Sequence, residues 1–111
     1  MKVKISDHSR EVKAAKDMAV RAALEEIGML AEGYAKIHLE QAPRRIDTGR
    51  LRNSITHRLR GDDAVEIGTA VEYGKYVEFG TSKMQANPFL RSAANEHMPE
   101  YSAIVKEHLR K

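Results

Sequence analysis

Neither cysteine nor tryptophan occurs in this sequence. Without cysteine there is no disulfide framework, no thiol nucleophile and no zinc–thiolate site, which suits a reducing cytoplasm. Phe and Tyr together supply only 5% of the residues, so aliphatic side chains and alanine must fill most of the core. No apolar run approaches the roughly 20 residues needed to span a bilayer, and no membrane partner is expected. Residues 1–8 are charged and have no apolar h-region, so no secretory signal is expected. They read as a flexible start to a single domain over residues 1–111. The five histidines (8, 38, 57, 97 and 108) show neither an i, i+4 pair nor a nearby carboxylate group of metal-site type. No Gly-rich phosphate loop and no Ser-His-Asp arrangement is recognisable. The chain therefore reads as non-enzymatic, with no catalytic, cofactor or metal site.

What is present fits one small soluble fold. The chain has 111 residues, enough for one compact domain with a modest core, and 41% hydrophobic with 32% charged residues fits a globular protein. The formal net charge of +3 is unevenly spread. Arg44, Arg45, Arg50, Arg52, Arg58 and Arg60 face only Asp47 in their stretch, whereas Asp62, Asp63, Glu66, Glu72 and Glu78 face only Lys75. Two such neighbouring segments either pair their charges within the fold or make a bipolar surface suited to head-to-tail packing of identical subunits.

The hydrophobic period predicts the elements. Val20, Ala23, Leu24, Ile27, Leu30, Ala31, Tyr34 and Ile37 step by three and four, the mark of one helix face. Val12, Ala15 and Ala19 extend that stripe, so a helix is expected from about Ser9 to Gln41, capped by Asp7 or Ser9 and stopped by Ala42-Pro43. Gly28 and Gly33 interrupt it at roughly 1 kcal/mol each relative to alanine, which suits bending or close packing. From Arg50 to Arg60 the period changes to two, with Leu51, Asn53, Ile55, His57 and Leu59 alternating with polar residues, and this predicts a strand with an arginine-rich outer face. Gly61-Asp62-Asp63 supplies a turn. Ala64–Ile67 then form a second strand, with Glu66 placed to oppose the arginines. From Leu90 the helical phase returns through Ala93, Ala94, His97, Tyr101, Ile104, Val105 and His108. On that stripe His97 and His108 read as hydrogen-bonded or interface residues. Pro99 must kink this helix or begin a new one, and the unbroken phase favours a kink. The expected class is α+β: a long N-terminal helix, a small antiparallel β-hairpin sheet and a kinked C-terminal helix packed on one face.

Between hairpin and last helix lies Val71-Glu72-Tyr73-Gly74-Lys75-Tyr76-Val77-Glu78-Phe79-Gly80-Thr81, then a polar loop, then Asn87-Pro88-Phe89-Leu90-Arg91. Upstream is Asp47-Thr48-Gly49-Arg50-Leu51-Arg52-Asn53-Ser54-Ile55. In order and spacing these blocks resemble the signature of a small tailed-bacteriophage family of tail components or neck proteins, over most of residues 43–94. The N-terminal helix is similar by position and length only, and Gly74 stands where relatives often carry alanine or proline. The resemblance implies a structural role in completing the neck or tail so that filled heads join tails. It further implies a homo-oligomer in the assembled particle, with head-closure and tail-terminator proteins as partners. The implied location is the virion, after assembly in the host cytoplasm.

Read physically, Tyr73, Tyr76 and Val77 share a face if their segment is a helical turn, with Phe79 beside it. These aromatics either anchor the segment to an aliphatic core or enter a neighbouring subunit. Gly80 suits a positive φ, and Pro88 pre-sets the start of the last helix. The polar loop Thr81–Asn87 is suited to ordering on contact with a partner. Tyr73, Tyr76, Glu78, Phe79, Pro88 and Phe89 are thus the candidate interface and signature residues, with Arg50, Arg52 and Arg58 as the candidate basic contact face. A competing reading makes that arginine-rich strand a non-specific nucleic-acid contact, weak and salt-dependent if subunits ring a DNA path. Gly74–Phe79 resembles an RNA-recognition strand only faintly, because Lys75 stands where an aromatic is wanted and the segment is acidic. Asp47-Thr48-Gly49 invites an aspartic-protease reading. Those enzymes share one proton between two close aspartates in a dry site, whereas Arg50 follows this triplet, which reads as a turn.

Overall fold

The computed structural model describes residues 1–6, 17–40, 48–61, 64–82 and 85–110. The expected caps at Asp7 and Ser9, the early stripe at Val12 and Ala15, the Ala42-Pro43 stop, Asp47 and the turn residues Asp62 and Asp63 lie outside them. Within the described residues eight elements follow one another: β1 (Lys2–Ser6), α1 (Asp17–Glu40), α2 (Thr48–Ser54), β2 (Thr56–Arg60), β3 (Ala64–Gly68), α3 (Gly74–Phe79), α4 (Phe89–Asn95) and α5 (Met98–Arg110). The strands form one antiparallel sheet in the order β1-β3-β2. The class is α+β, mostly helical, with the long helix and the small sheet expected.

The β2–β3 hairpin is as read, and Gly61 enters its turn at φ 62°. The third strand comes from the segment read as flexible: Val3 and Ile5 of β1 pair with Ile67 and Val65 of β3. Alternation then separates two faces. Val3, Ile5, His57, Leu59, Val65 and Ile67 turn toward the helices, and Val65 and Ile67 are wholly buried. Across α1 the buried residues are Val20, Ala23, Leu24, Ile27, Ala31, Ala35 and Leu39. Ile37, assigned to this stripe from the sequence, is half exposed. At about 100° per residue, Ile37 points roughly opposite the buried Ala35, whereas Leu39, one turn beyond Ala35, stays on its face. Gly28 fulfils the close-packing expectation, since a Cβ there would lie 2.6 Å from the His57 ring and 2.9 Å from Val65 Cγ2. Gly33 faces open space.

Two further expectations change. The strand read over Arg50–Arg60 begins only at Thr56, because residues 48–54 form α2. Leu51 and Ile55 are both buried and stand four apart, a spacing that a helical turn satisfies. Asn53, which a strand would have pointed inward, is exposed. At the other end the chain makes two helices, not one kinked helix. Helix α4 ends at Asn95, and Pro99 falls in the first turn of α5, where its missing N–H leaves no gap in the ladder. The buried Tyr101 hydroxyl bridges the break by donating to the Ala93 carbonyl at 2.6 Å. That burial raises the Tyr101 pKa.

Candidate assembly interface

The described residues between Gly68 and Arg91 are tied together as a bracket. The Met1 ammonium donates to the Thr69 carbonyl at 3.3 Å, and the Thr69 amide donates to the Met1 carbonyl at 3.2 Å. The Thr69 hydroxyl shares a hydrogen bond with Ser54 and accepts the Val71 amide at 3.0 Å, which fixes the turn into α3. Helix α3 points Gly74, Val77 and Glu78 inward. It ends at Gly80, whose φ of 79° and ψ of 175° favour glycine. Beyond the loop, the Asn87 amide donates to the Val77 carbonyl at 2.8 Å. The Asn87 side chain donates to the His38 carbonyl at 3.2 Å, satisfying a C-terminal carbonyl of α1.

Glu78 is the centre of this bracket. Its side chain is fully buried, yet it accepts the amides of Leu90 at 2.9 Å and Arg91 at 3.1 Å, and the Arg91 Nε at 2.7 Å. The Arg91 guanidinium also donates to the Glu78 carbonyl at 3.0 Å. The first amides of any helix lack intrahelical partners and are usually met by an N-cap Ser, Thr, Asp or Asn. Here the N-cap is Pro88, whose side chain has no acceptor. Glu78, delivered from α3, does that work, and its charge suits the positive end of α4.

The signature residues therefore divide. Glu78 and Phe89 are buried, and Pro88 is half-buried at the helix start. Tyr73 is half-buried, with the Arg50 guanidinium 5.7 Å above its ring. By contrast Tyr76 is 50% exposed and Phe79 is 60% exposed. Lys75 lies 5.2 Å from the Tyr76 ring centroid and Arg91 lies 4.6 Å from that of Phe79, both within cation–π reach. Two aromatics thus stand outward on a short helix that Val77 and Glu78 hold from beneath.

The proposed basic face is not one strand face. Arg50 and Arg52 belong to α2 and Arg58 to β2, and Arg52 pairs with Glu40 at 2.6 Å. Arg58 and Arg60 both bond Glu66, at 2.9 and 3.0 Å, from the neighbouring strand position that the hairpin register predicts. The Arg58 hydrogen bond, opposed by burial and aided by Arg60 and Lys2, holds the Glu66 carboxyl below its ordinary range.

Sequence reasoning missed one further cluster. His57 lies over Gly28 with Nδ1 2.9 Å from Glu32 and Nε2 2.6 Å from Glu25, joining the sheet to α1. Two carboxylate partners favour the doubly protonated ring. Burial pulls the His57 pKa down, but the hydrogen bonds that the ring donates to Glu32 and Glu25 outweigh it and the net shift is upward. The spacing Glu25–Gly28–Glu32 on one helix was the available signal. His108 bonds Glu26 at 3.0 Å, and His97 stacks on Tyr34 at 3.6 Å between centroids. Among the described residues no group of three or more His, Asp or Glu is placed to hold a metal ion, and no helix is long and apolar enough to cross a membrane.

The family model described as "Bacteriophage HK97-gp10, putative tail-component" matches residues 1–80, from β1 through Gly80. No curated protein and no solved structure matches the chain. The matched stretch contains Tyr73, Tyr76, Glu78 and Phe79, whereas Pro88 and Phe89 lie beyond it.

Proposed function

We propose a head–tail joining role for this chain, which belongs to the bacteriophage tail-component family whose model its residues 1–80 match. The family is one of structural virion parts, not of enzymes, and a tail component contacts other virion proteins. Within that class we read the chain as a neck or tail-completion component. It is a homo-oligomer in the assembled particle and contacts the head-closure and tail-terminator proteins.

One observation supports this reading above the rest: Tyr76 and Phe79 stand exposed on a helix whose position is locked by a buried carboxylate. Aromatics of this kind favour the desolvated centre of an interface, and a preset backbone lowers the ordering cost of binding. Burying a large apolar side chain contributes about 1.5–3 kcal/mol when complete, so two half-exposed rings give a useful anchor. Helix α1 offers a second apolar area through Met29 and Ile37, 62% and 49% exposed. Two unlike areas on one subunit suit a heterologous, head-to-tail contact. The test is electron microscopy of lysates from a phage or prophage in which only this gene carries a stop codon. DNA-filled heads beside unjoined tails support the role, and normal infectious particles exclude it.

A further inference from the structure

Among the described residues no helix packs on one face of the sheet, and that face is rich in cations. Helices α1 and α4 cover the side carrying Val65, Ile67 and His57. On the other side the register aligns Lys4, Glu66 and Arg58 in one row, with Lys2 on one flanking row and Arg60 on the other. Four cations thus surround one carboxylate on a chain whose formal net charge is +3. Lys2 and Lys4 are exposed, and the Arg58 and Arg60 side chains are 65% and 56% exposed. Glu66 is almost wholly covered and bonds one nitrogen of each guanidinium. An arginine has five N–H donors in a fixed fork, so each keeps donors for an outside anion while Glu66 holds it in place.

The shape narrows the ligand. Lys2, Thr56, Arg58, Glu66 and Gly68, with Met1 and Ala70, line a hollow of about 290 Å³. On this side the register places Lys2, Lys4, Thr56, Arg58, Arg60, Gly68 and the buried Ala64 and Glu66, with no aromatic ring among them. Such a face has no platform for stacking unpaired bases and reads charge, not sequence. The cations stand in two columns on the edge strands, roughly 9–10 Å apart at ordinary strand spacing. A duplex carrying about one negative charge per 1.7 Å of axis meets several of them together.

We propose that the cationic face of the sheet, through Lys2, Lys4, Arg58 and Arg60, binds the phosphate backbone of duplex DNA without sequence preference. The face replaces the arginine strand expected from the sequence, and it stands on sheet geometry independently of the neck role. The test uses the whole protein and a short mixed-sequence duplex, with fluorescence anisotropy followed from about 50 to 200 mM salt. Four phosphate contacts weaken binding roughly 100-fold over that range. Lys2→Gln/Lys4→Gln removes two contacts and leaves a loss of only about 10-fold. Glu66→Gln tightens binding, which a purely structural role for Glu66 does not produce. Circular dichroism confirms that the variants keep their fold. No binding at the lowest salt, or a salt slope that Lys2→Gln/Lys4→Gln leaves unmoved, overturns the proposal. Binding to poly-glutamate but not to the duplex also overturns it and assigns the face to an acidic protein. A stop-codon phage with intact joints bears on the neck role and leaves this test unchanged.

Discussion

Removing the Glu78 carboxylate is expected to cost more stability than any other single polar change among the described residues. In Glu78→Ala the Leu90 amide loses its partner inside the protein, and an unsatisfied buried donor costs about 1–3 kcal/mol. The Arg91 amide is partly reachable by water and loses less. The Arg91 side chain is 46% exposed, so its guanidinium rehydrates and the ion pair adds only a fraction of a buried pair's value. A small cavity contributes about 1 kcal/mol more. Together these give about 3–5 kcal/mol. For a chain of this size that is a fall in Tm of roughly 12–20 °C. Glu78→Gln keeps one acceptor and is expected to lose about 2 kcal/mol, whereas Arg91→Ala leaves the carboxylate on two amides and loses about 1 kcal/mol. Urea unfolding measures all three, and amide exchange at Leu90 reads the local effect. A loss below 1 kcal/mol in Glu78→Ala, or a greater loss in Arg91→Ala, refutes the bracket as described.

The remaining predictions concern the sheet–helix contact and the exposed rings. Gly28→Ala places a methyl within 3 Å of a ring held by two carboxylates, so overpacking of about 1–3 kcal/mol outweighs the helical gain of up to about 1 kcal/mol, and urea unfolding registers destabilisation. Gly33→Ala meets nothing and is expected to stabilise by about 1 kcal/mol in the same assay. The upward shift of the His57 pKa means that its contribution is complete below its ordinary value of 6.5 and is lost as pH rises through the folded value. Glu32 is shifted downward: burial raises it, but His57 and Lys36 prevail, so its contribution is present above 4.5 and is lost as pH falls through the folded value. Stability therefore declines from mildly acidic to alkaline pH, and His57→Gln flattens that decline; a wild-type profile unchanged by the substitution refutes the clasp.

Local period was the legible part of this fold. The α1 stripe, the hairpin, the positive φ of Gly80 and the turn at Tyr73–Phe79 all follow from spacing and residue type within a few positions. The failures arise where one pattern fits two structures or where a partner lies far along the chain. Leu51 and Ile55 satisfy a strand face and a helical turn equally, and only polar Asn53 separated them. Lys2–Ser6 alternates as plainly as β2 does, but a lone charged strand has no reason to form until Ile67 and Val65 stand beside it. Pro99 keeps the apolar phase because α5 starts almost at once after α4, so periodicity could not distinguish a kink from a break. Glu78 was recognisable as part of a signature, yet its task depends on amides 12 and 13 positions away. The exposure of Tyr76 and Phe79, on which the assembly reading depends, was open from the sequence because α3 alone does not say which face meets the core.

The most direct test of the central claim is complementation of the stop-codon phage with Tyr76→Ser/Phe79→Ser protein, followed by electron microscopy of the lysate. Both side chains are at least half exposed, so the variant is expected to stay folded and soluble. The account predicts filled heads and tails that remain apart, as with no protein at all, while wild-type protein restores joined particles. Joined, infectious particles made with the variant would contradict it, and would show that this aromatic pair is not the surface through which the chain assembles.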